Sequence, residues 1–167
     1  VGRERHAAGD WQLAAHHRKQ FTYPVIAITG SNGKTIVKEW LWQLLRDDFS
    51  IVRSPKSYNS QVGVPLSIWN MSDANTLGIF EAGISRPGEM EKLNAIIRPD
   101  VVLFTNIGTA HDENFSDRDQ KTKEKLKLAK NAMAIIYCKD ELTTHTEIKL
   151  MGVQTFTWSR KTKADLQ

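Results

Sequence analysis

From Lys34 to Leu45 the apolar residues Val37, Leu41, Leu44 and Leu45, joined by Ile36 and Trp40, recur at helical spacing. Before and after that segment the apolar residues come in short runs instead. PVIAIT (24–29), SIVRS (50–54), TLGIFEAG (76–83), DVVLFTNIG (100–108), AMAIIYC (132–138) and VQTFTWS (153–159) each have the length and β-branched content of a strand. VPLSIWNM predicts a short helix. RPGEMEKLNAIIRP predicts another, with Met90, Leu93, Ile96 and Ile97 on one face and its end at Pro99. A lysine-rich helix follows the fourth run, and the first twenty residues read as a helix through Trp11, Leu13, Ala14 and Ala15. Strands that alternate with helices predict an α/β fold, a mostly parallel sheet with helices on both faces. The near-continuous apolar character of the strands agrees, since both faces of such a sheet are covered.

The chain of 167 residues suits one domain with a proper core, and 40% apolar with 25% charged residues is an ordinary globular balance. No apolar run approaches the length of a membrane span, and VGRERHAAGDW lacks the apolar core of a signal peptide. The single cysteine, Cys138, fits a reducing cytoplasm and reads as a buried structural thiol, not a nucleophile. Much of the net charge of +4 sits in KTKEKLKLAK (121–130). Without interleaved arginines or aromatics this reads as a mostly solvated helix face, not a nucleic-acid patch.

Ligands of open parallel sheets bind beyond the carboxyl ends of the strands. Here those ends carry TGSNGKT after the first strand, Glu81 on the third, and TNIGTAH, closing on His111, after the fourth. Gly30 and Gly33, with Ser31 and Asn32 between them, allow a turn whose N–H groups face an anion at a helix start. Lys34 can reach outer phosphates and the Thr35 hydroxyl can ligate magnesium. The spacing G-x-x-G-K-T is shorter than the general G-x-x-x-x-G-K-[ST] and lacks its first glycine. Glu81 is then a candidate magnesium ligand opposite the loop. His111 is a less usual one, because magnesium prefers oxygen. His6, His16, His17 and His145 have no such setting and read as surface residues.

Together these residues resemble the central, ATP-binding domain of the Mur ligases, which form amide bonds in peptidoglycan precursor synthesis. TGSNGKT looks like that family's short phosphate loop. YNSQVGVPLSIWNM, FEAGISRPGEMEKL and RPDVVLFTNIGTAHDENF are similar, in order, to three further family elements. They match best the branch that adds D-Ala-D-Ala to UDP-N-acetylmuramoyl-tripeptide. The resemblance implies a P-loop NTPase-like fold in which residues 1–23 are a helical lead-in and 24–167 the central domain, short of its last part. The domains that grip the UDP-sugar and position the incoming amine would lie outside this chain, and a fusion to alanine racemase is left open.

Carried over, Gly30 to Thr35 would hold the ATP phosphates. Thr35 and Glu81 would ligate one magnesium, and His111 would help to bind a second. Lys125, fourteen residues after His111, would match a lysine that carbon dioxide converts to a carbamate, and Lys121, Lys123 and Lys127 are its rivals by small slips. Lys34, Glu81, His111 and Lys125 would thus be the catalytic set, with Asn59 near substrate. The partners would be UDP-N-acetylmuramoyl-tripeptide and D-Ala-D-Ala, with no nucleic acid and no membrane. The chain departs from the family pattern at Ile36, at Asp112 and in EKLK, where K-G-E is frequent. A folylpolyglutamate synthase, another Mur member, or a P-loop kinase or NTPase are the competing readings. The last should show an aspartate where Glu81 stands.

Overall fold

The computed structural model describes residues 11–108 and 112–166. Its elements, in order, are helix α1 (11–18), β1 (Val25–Thr29), α2 (Lys34–Leu45), β2 (Ile51–Arg53), α3 (Gly63–Ile68) and β3 (Leu77–Glu81). They continue with α4 (Glu89–Ile97), β4 (Val101–Phe104), α5 (Arg118–Leu126), β5 (Ala134–Cys138), α6 (Leu142–Leu150) and β6 (Gln154–Trp158). The six strands form one wholly parallel sheet in the order β2-β3-β1-β4-β5-β6. The first strand is therefore central, flanked by β3 and β4, which places the three predicted strand ends side by side.

Helices lie on both faces, but unevenly. The larger core joins Val25, Ala27, Phe80, Val102, Phe104 and Ile135 of the sheet to residues of α1, α3, α4, α5 and α6. The alternate strand positions Ile26, Ile28, Ile79 and Leu103 form a smaller cluster with Val37, Leu41 and Leu45 of α2. Val37, Leu41 and Leu45 are half-buried, as the helical period predicts, whereas Ile36, Trp40 and Leu44 are exposed and the one fully buried residue of α2 is Lys38. Helical spacing finds the face that can be apolar. It does not see a charged residue turned inward by a partner on another strand.

The predicted helix over Met90 to Ile97 forms as read and stops at Arg98, in the left-handed conformation just before Pro99. Its last carbonyls are satisfied by the buried Arg18 guanidinium, which donates to Ile97 O at 2.8 Å and Arg98 O at 3.2 Å. At its start Glu124 of α5 supplies the cap, accepting the N–H groups of Gly88 at 2.7 Å and Met90 at 3.3 Å. Helix α6 has no apolar stripe to announce it; of Leu142, Ile148 and Leu150 only Ile148 is buried. His17 and His145 are half-buried rather than free on the surface. His17 stacks on Trp69, and His145 Nδ1 lies 2.8 Å from the hydroxyl of the buried Tyr137. His16 is exposed as expected, and His6 lies outside the described residues. Among the described residues no helix is long and apolar enough to cross a membrane.

Candidate functional site

Sheet register brings the loop after β1 to its neighbours. Ile28 pairs with Glu81 and Thr29 with Phe104, so Gly30 emerges between the ends of β3 and β4. Its φ of 137° and its surroundings both demand glycine: a Cβ there would lie 1.9 Å from Thr105 Oγ1. A Gly30→Ala chain should lose about 1–3 kcal/mol of stability, read as a lower urea midpoint at unchanged slope. Gly33, with φ 81°, then starts α2 without a side-chain cap, which leaves the amino end of that helix open.

Part of the loop is tied down by the segment that follows β4. Ser31 N–H donates to Asn106 O at 2.8 Å, Asn32 N–H to Asn106 Oδ1 at 3.2 Å, and Thr105 Oγ1–H to Asn32 O at 2.7 Å. The N–H groups of Ser31 and Asn32 thus face Asn106, and the anion-facing part of the loop is the start of α2. Lys34 Nζ folds over the loop, donating to Gly30 O at 2.9 Å and Ser31 O at 3.4 Å. Burial holds its pKa below the usual lysine value, opposed by the Glu81 carboxylate.

Glu81 is fully buried rather than capping a helix or facing solvent. Its Oε2 accepts from Thr35 Oγ1–H at 3.0 Å and from Asn59 Nδ2–H at 3.3 Å. Its Oε1 lies 3.0 Å from Lys38 Nζ, with both side chains at 0% exposure. A hydroxyl and a carboxylate oxygen converge at the start of a helix, an all-oxygen pair suited to a hard divalent cation that completes its shell with phosphate and water. Among the described residues no group of three or more His, Cys, Asp or Glu side chains forms an all-protein cage.

Lys125 closes the opposite side. The lysine-rich helix is not a uniformly solvated face: Lys121 and Lys125, one turn apart, are 1% and 3% exposed, while Lys123 faces out. Asp117 caps this helix through Oδ1, 2.7 Å from Gln120 N, which sets the register of both lysines. Lys121 Nζ donates to Gly108 O at 2.6 Å and Lys125 Nζ reaches Gly30 O at 3.4 Å. Burial, then the nearby charges of Lys34 and Lys121, lower the Lys125 pKa to about 7. Lys127 points elsewhere, pairing with Glu124 at 2.8 Å. Of the four lysines that spacing allows, geometry therefore favours Lys125 as the amine at the phosphate loop.

A cavity of about 150 Å³ lies between these parts, lined by Gly30, Ser31, Lys34, Asn59, Ser60, Gly83, Ile84, Ser85 and Lys125. A second, of about 360 Å³, adjoins Asn106 beyond β4 to β6 and includes Phe104 and Trp158. Cys138 borders it, half-buried rather than buried, its thiol pKa raised by burial, which leaves it a poor nucleophile. A third, of about 610 Å³, lies between Arg98 and Lys130, away from the phosphate loop. His111 lies outside the described residues. Lys38 and Asn106 were not legible as site residues. For Lys38 the available signal was a cation four residues after Lys34, hence one turn along the same helix.

The Mur ligase middle domain profile matches residues 28–167. The UDP-N-acetylmuramoyl-tripeptide–D-alanyl-D-alanine ligase of Borreliella burgdorferi is 37% identical over 116 residues, 70% of this chain and 25% of its own. That of Rickettsia prowazekii is 30% identical over 164 residues, 93% of this chain and 36% of its own. The chain thus spans between a quarter and a little over a third of these curated relatives. Among solved structures, MurF ligase from Thermotoga maritima in complex with ADP superposes with a TM-score of 0.87 at 29% identity, covering 95% of this chain and 38% of that one. FolC of E. coli in complex with ADP gives 0.69 at 16% identity, over 93% of this chain and 49% of that one, a likeness of fold alone.

Proposed function

The chain belongs to the Mur ligase family, by its middle domain, and we propose that it is the ATP-binding part of a ligase that joins D-Ala-D-Ala to UDP-N-acetylmuramoyl-tripeptide. The observation that carries this reading is the buried Glu81 carboxylate 3.0 Å from the phosphate-loop hydroxyl of Thr35. In the proposed reaction the terminal carboxylate of the tripeptide attacks the γ-phosphorus of ATP. An O–P bond forms, the bond to the β-phosphate oxygen breaks, and an acyl phosphate and ADP result. The amine of D-Ala-D-Ala then attacks the acyl carbon, loses a proton and expels phosphate.

The work left to this chain is positioning and charge neutralisation. Lys34, already folded over the loop, swings to the outer phosphates. The open end of α2 faces them with its N–H groups. Thr35 Oγ1 and Glu81 Oε2 would hold magnesium, with His111 toward a second ion; such ions neutralise charge on the transferring phosphoryl group. Asn59, bonded to Glu81, borders the cavity where the reacting carboxylate has room. The cavity beside Asn106 has room for the base of the nucleotide. The UDP-sugar and amine sites belong to parts of the ligase outside residues 24–167.

Lys125 is the residue for a carbamate: its neutral Nζ attacks the carbon of CO2, a proton leaves to solvent, and a cation becomes an anion beside the loop. With a pKa of about 7 the neutral amine is abundant above pH 7, where an ordinary lysine is almost wholly charged. Chains supplied with 13C-bicarbonate at pH 8 should show one carbamate resonance, weaker at pH 6 and lost in Lys125→Met. The lowered pKa has a second consequence. Between pH 7 and about 10.5 the unfolded chain binds the proton that the folded one releases, so stability gains from rising pH. The rise in urea midpoint from pH 7 to 9 should be smaller in Lys125→Met.

The test of the whole reading is ADP release. The 167-residue chain should bind ATP with magnesium and release no ADP. The full-length ligase should release ADP in repeated turnovers only with both UDP-N-acetylmuramoyl-tripeptide and D-Ala-D-Ala, and at most one equivalent per enzyme with the tripeptide alone. Release driven by a folate and glutamate would transfer the chain to the synthase reading.

A further inference from the structure

Lys38 is a fully buried cation that the reaction above does not use. Its ammonium sits among oxygens from three places: Glu81 Oε1 of β3 at 3.0 Å, the Ser54 carbonyl at 2.8 Å with the Lys56 carbonyl beside it, and Glu39 Oε1 of its own helix at 3.3 Å. Lys56 is one of two non-glycine residues in the left-handed region among those described, with φ 48°. That conformation is costly and persists only where its surroundings enforce it. Here it turns the carbonyl onto the buried ammonium.

The same turn leads to Asn59, whose carbonyl accepts the Gly83 N–H at 2.7 Å and whose Nδ2–H donates to Glu81 Oε2. Ser54 completes the tie by accepting the Glu81 N–H on its Oγ at 3.0 Å. Glu81 therefore has its two oxygens assigned to different tasks. Oε1 forms the buried ion pair with Lys38, without accepting a hydrogen bond, and Oε2 accepts the hydrogen bonds of Thr35 and Asn59.

We infer that Lys38 is a positioning residue, a tethered internal cation that restricts Glu81 to presenting one oxygen at the phosphate loop and fixes the 54–59 turn that aims Asn59. In its bearing on a metal this rests on the ligase reading; in its bearing on the turn it does not. Groups that orient a ligating carboxylate change metal affinity by about 10- to 100-fold when removed. Lys38→Ala should weaken Mn(II) binding to the ATP-loaded chain by about that factor, measured by EPR. ATP binding without divalent metal, which depends on Lys34 and the helix start, should stay within about twofold, well under the factor for a lost charged hydrogen bond.

Propylammonium replaces the atoms deleted in Lys38→Ala and should restore most of the Mn(II) affinity; tetramethylammonium, which has no N–H to donate, should not. Lys38→Met, with similar bulk and no donor, should show the same loss and no rescue. Unchanged Mn(II) affinity in both variants overturns the inference. So does an equal loss of metal-free ATP binding, or equal rescue by both amines. If the unsubstituted chain bound no ATP, the ligase reading would fail by itself. The positioning claim is then decided by amide NMR shifts of residues 56–61 in the nucleotide-free chain. They should move in Lys38→Ala and return with propylammonium; shifts that do not respond to the amine sink it, including in a variant that stays unfolded.

Discussion

A Glu81→Ala chain should unfold at a urea midpoint lowered by the equivalent of about 3 kcal/mol and lose the effect of magnesium on ATP affinity. The first loss follows from the pair it breaks. Glu81 and Lys38 are both at 0% exposure, so the deleted carboxylate leaves a buried ammonium without its main counter-charge. Breaking a buried pair in this way costs about 3–5 kcal/mol, because the desolvation of the remaining ion is no longer offset. The lower end is expected here, since Glu39 lies 3.3 Å from the same ammonium, though 35% exposed. The second loss follows from Oε2, which faces Thr35. Glu81→Gln separates the two: the amide keeps the volume and an oxygen for Lys38, so stability should recover in part while the response to magnesium does not. A Glu81→Ala chain with an unchanged midpoint would remove the buried pair from the account of this site.

Lys34→Ala should do the opposite. Binding of ATP, followed by calorimetry with magnesium present, should weaken about 10- to 100-fold, the range expected for one charge-assisted hydrogen bond to phosphate. Stability should scarcely fall. Burial disfavours the charged form of Lys34, and without nucleotide its contacts are the loop carbonyls of Gly30 and Ser31. Deleting it relieves a desolvated charge while giving up two modest bonds. Full ATP affinity in Lys34→Ala would refute the phosphate-loop reading, whatever became of Glu81. The pair of variants therefore separates a residue that holds the fold and the site together from one that serves the ligand.

The main lines of the fold were readable because hydropathy reports them directly. The strands VIAIT and VVLF lie in short apolar runs, and the sheet buries or half-buries every residue of both. Met90, Leu93, Ile96 and Ile97 are all buried, as their spacing requires. Helix α6 escaped because a nine-residue helix with one buried apolar residue leaves no periodic mark. At the candidate site the phosphate loop and Glu81 were legible because both sit at the ends of recognisable strands. Lys125 could be singled out from its neighbours only through the resemblance, since every second residue from 121 to 127 is a lysine.

What the sequence by itself determined is the alternation of strand and helix, the phosphate loop in its short form and the family to which the chain belongs. Each of these is written in contiguous residues. What only the tertiary structure decided is the state of the charged side chains. Hydropathy assigns every lysine to water, yet Lys38, Lys121 and Lys125 are inside, because their partners are a carboxylate and carbonyls contributed by other strands and loops. A buried charge is stable only where the fold supplies its counter-charge or its acceptors, and those come from parts of the chain that meet only when the sheet forms.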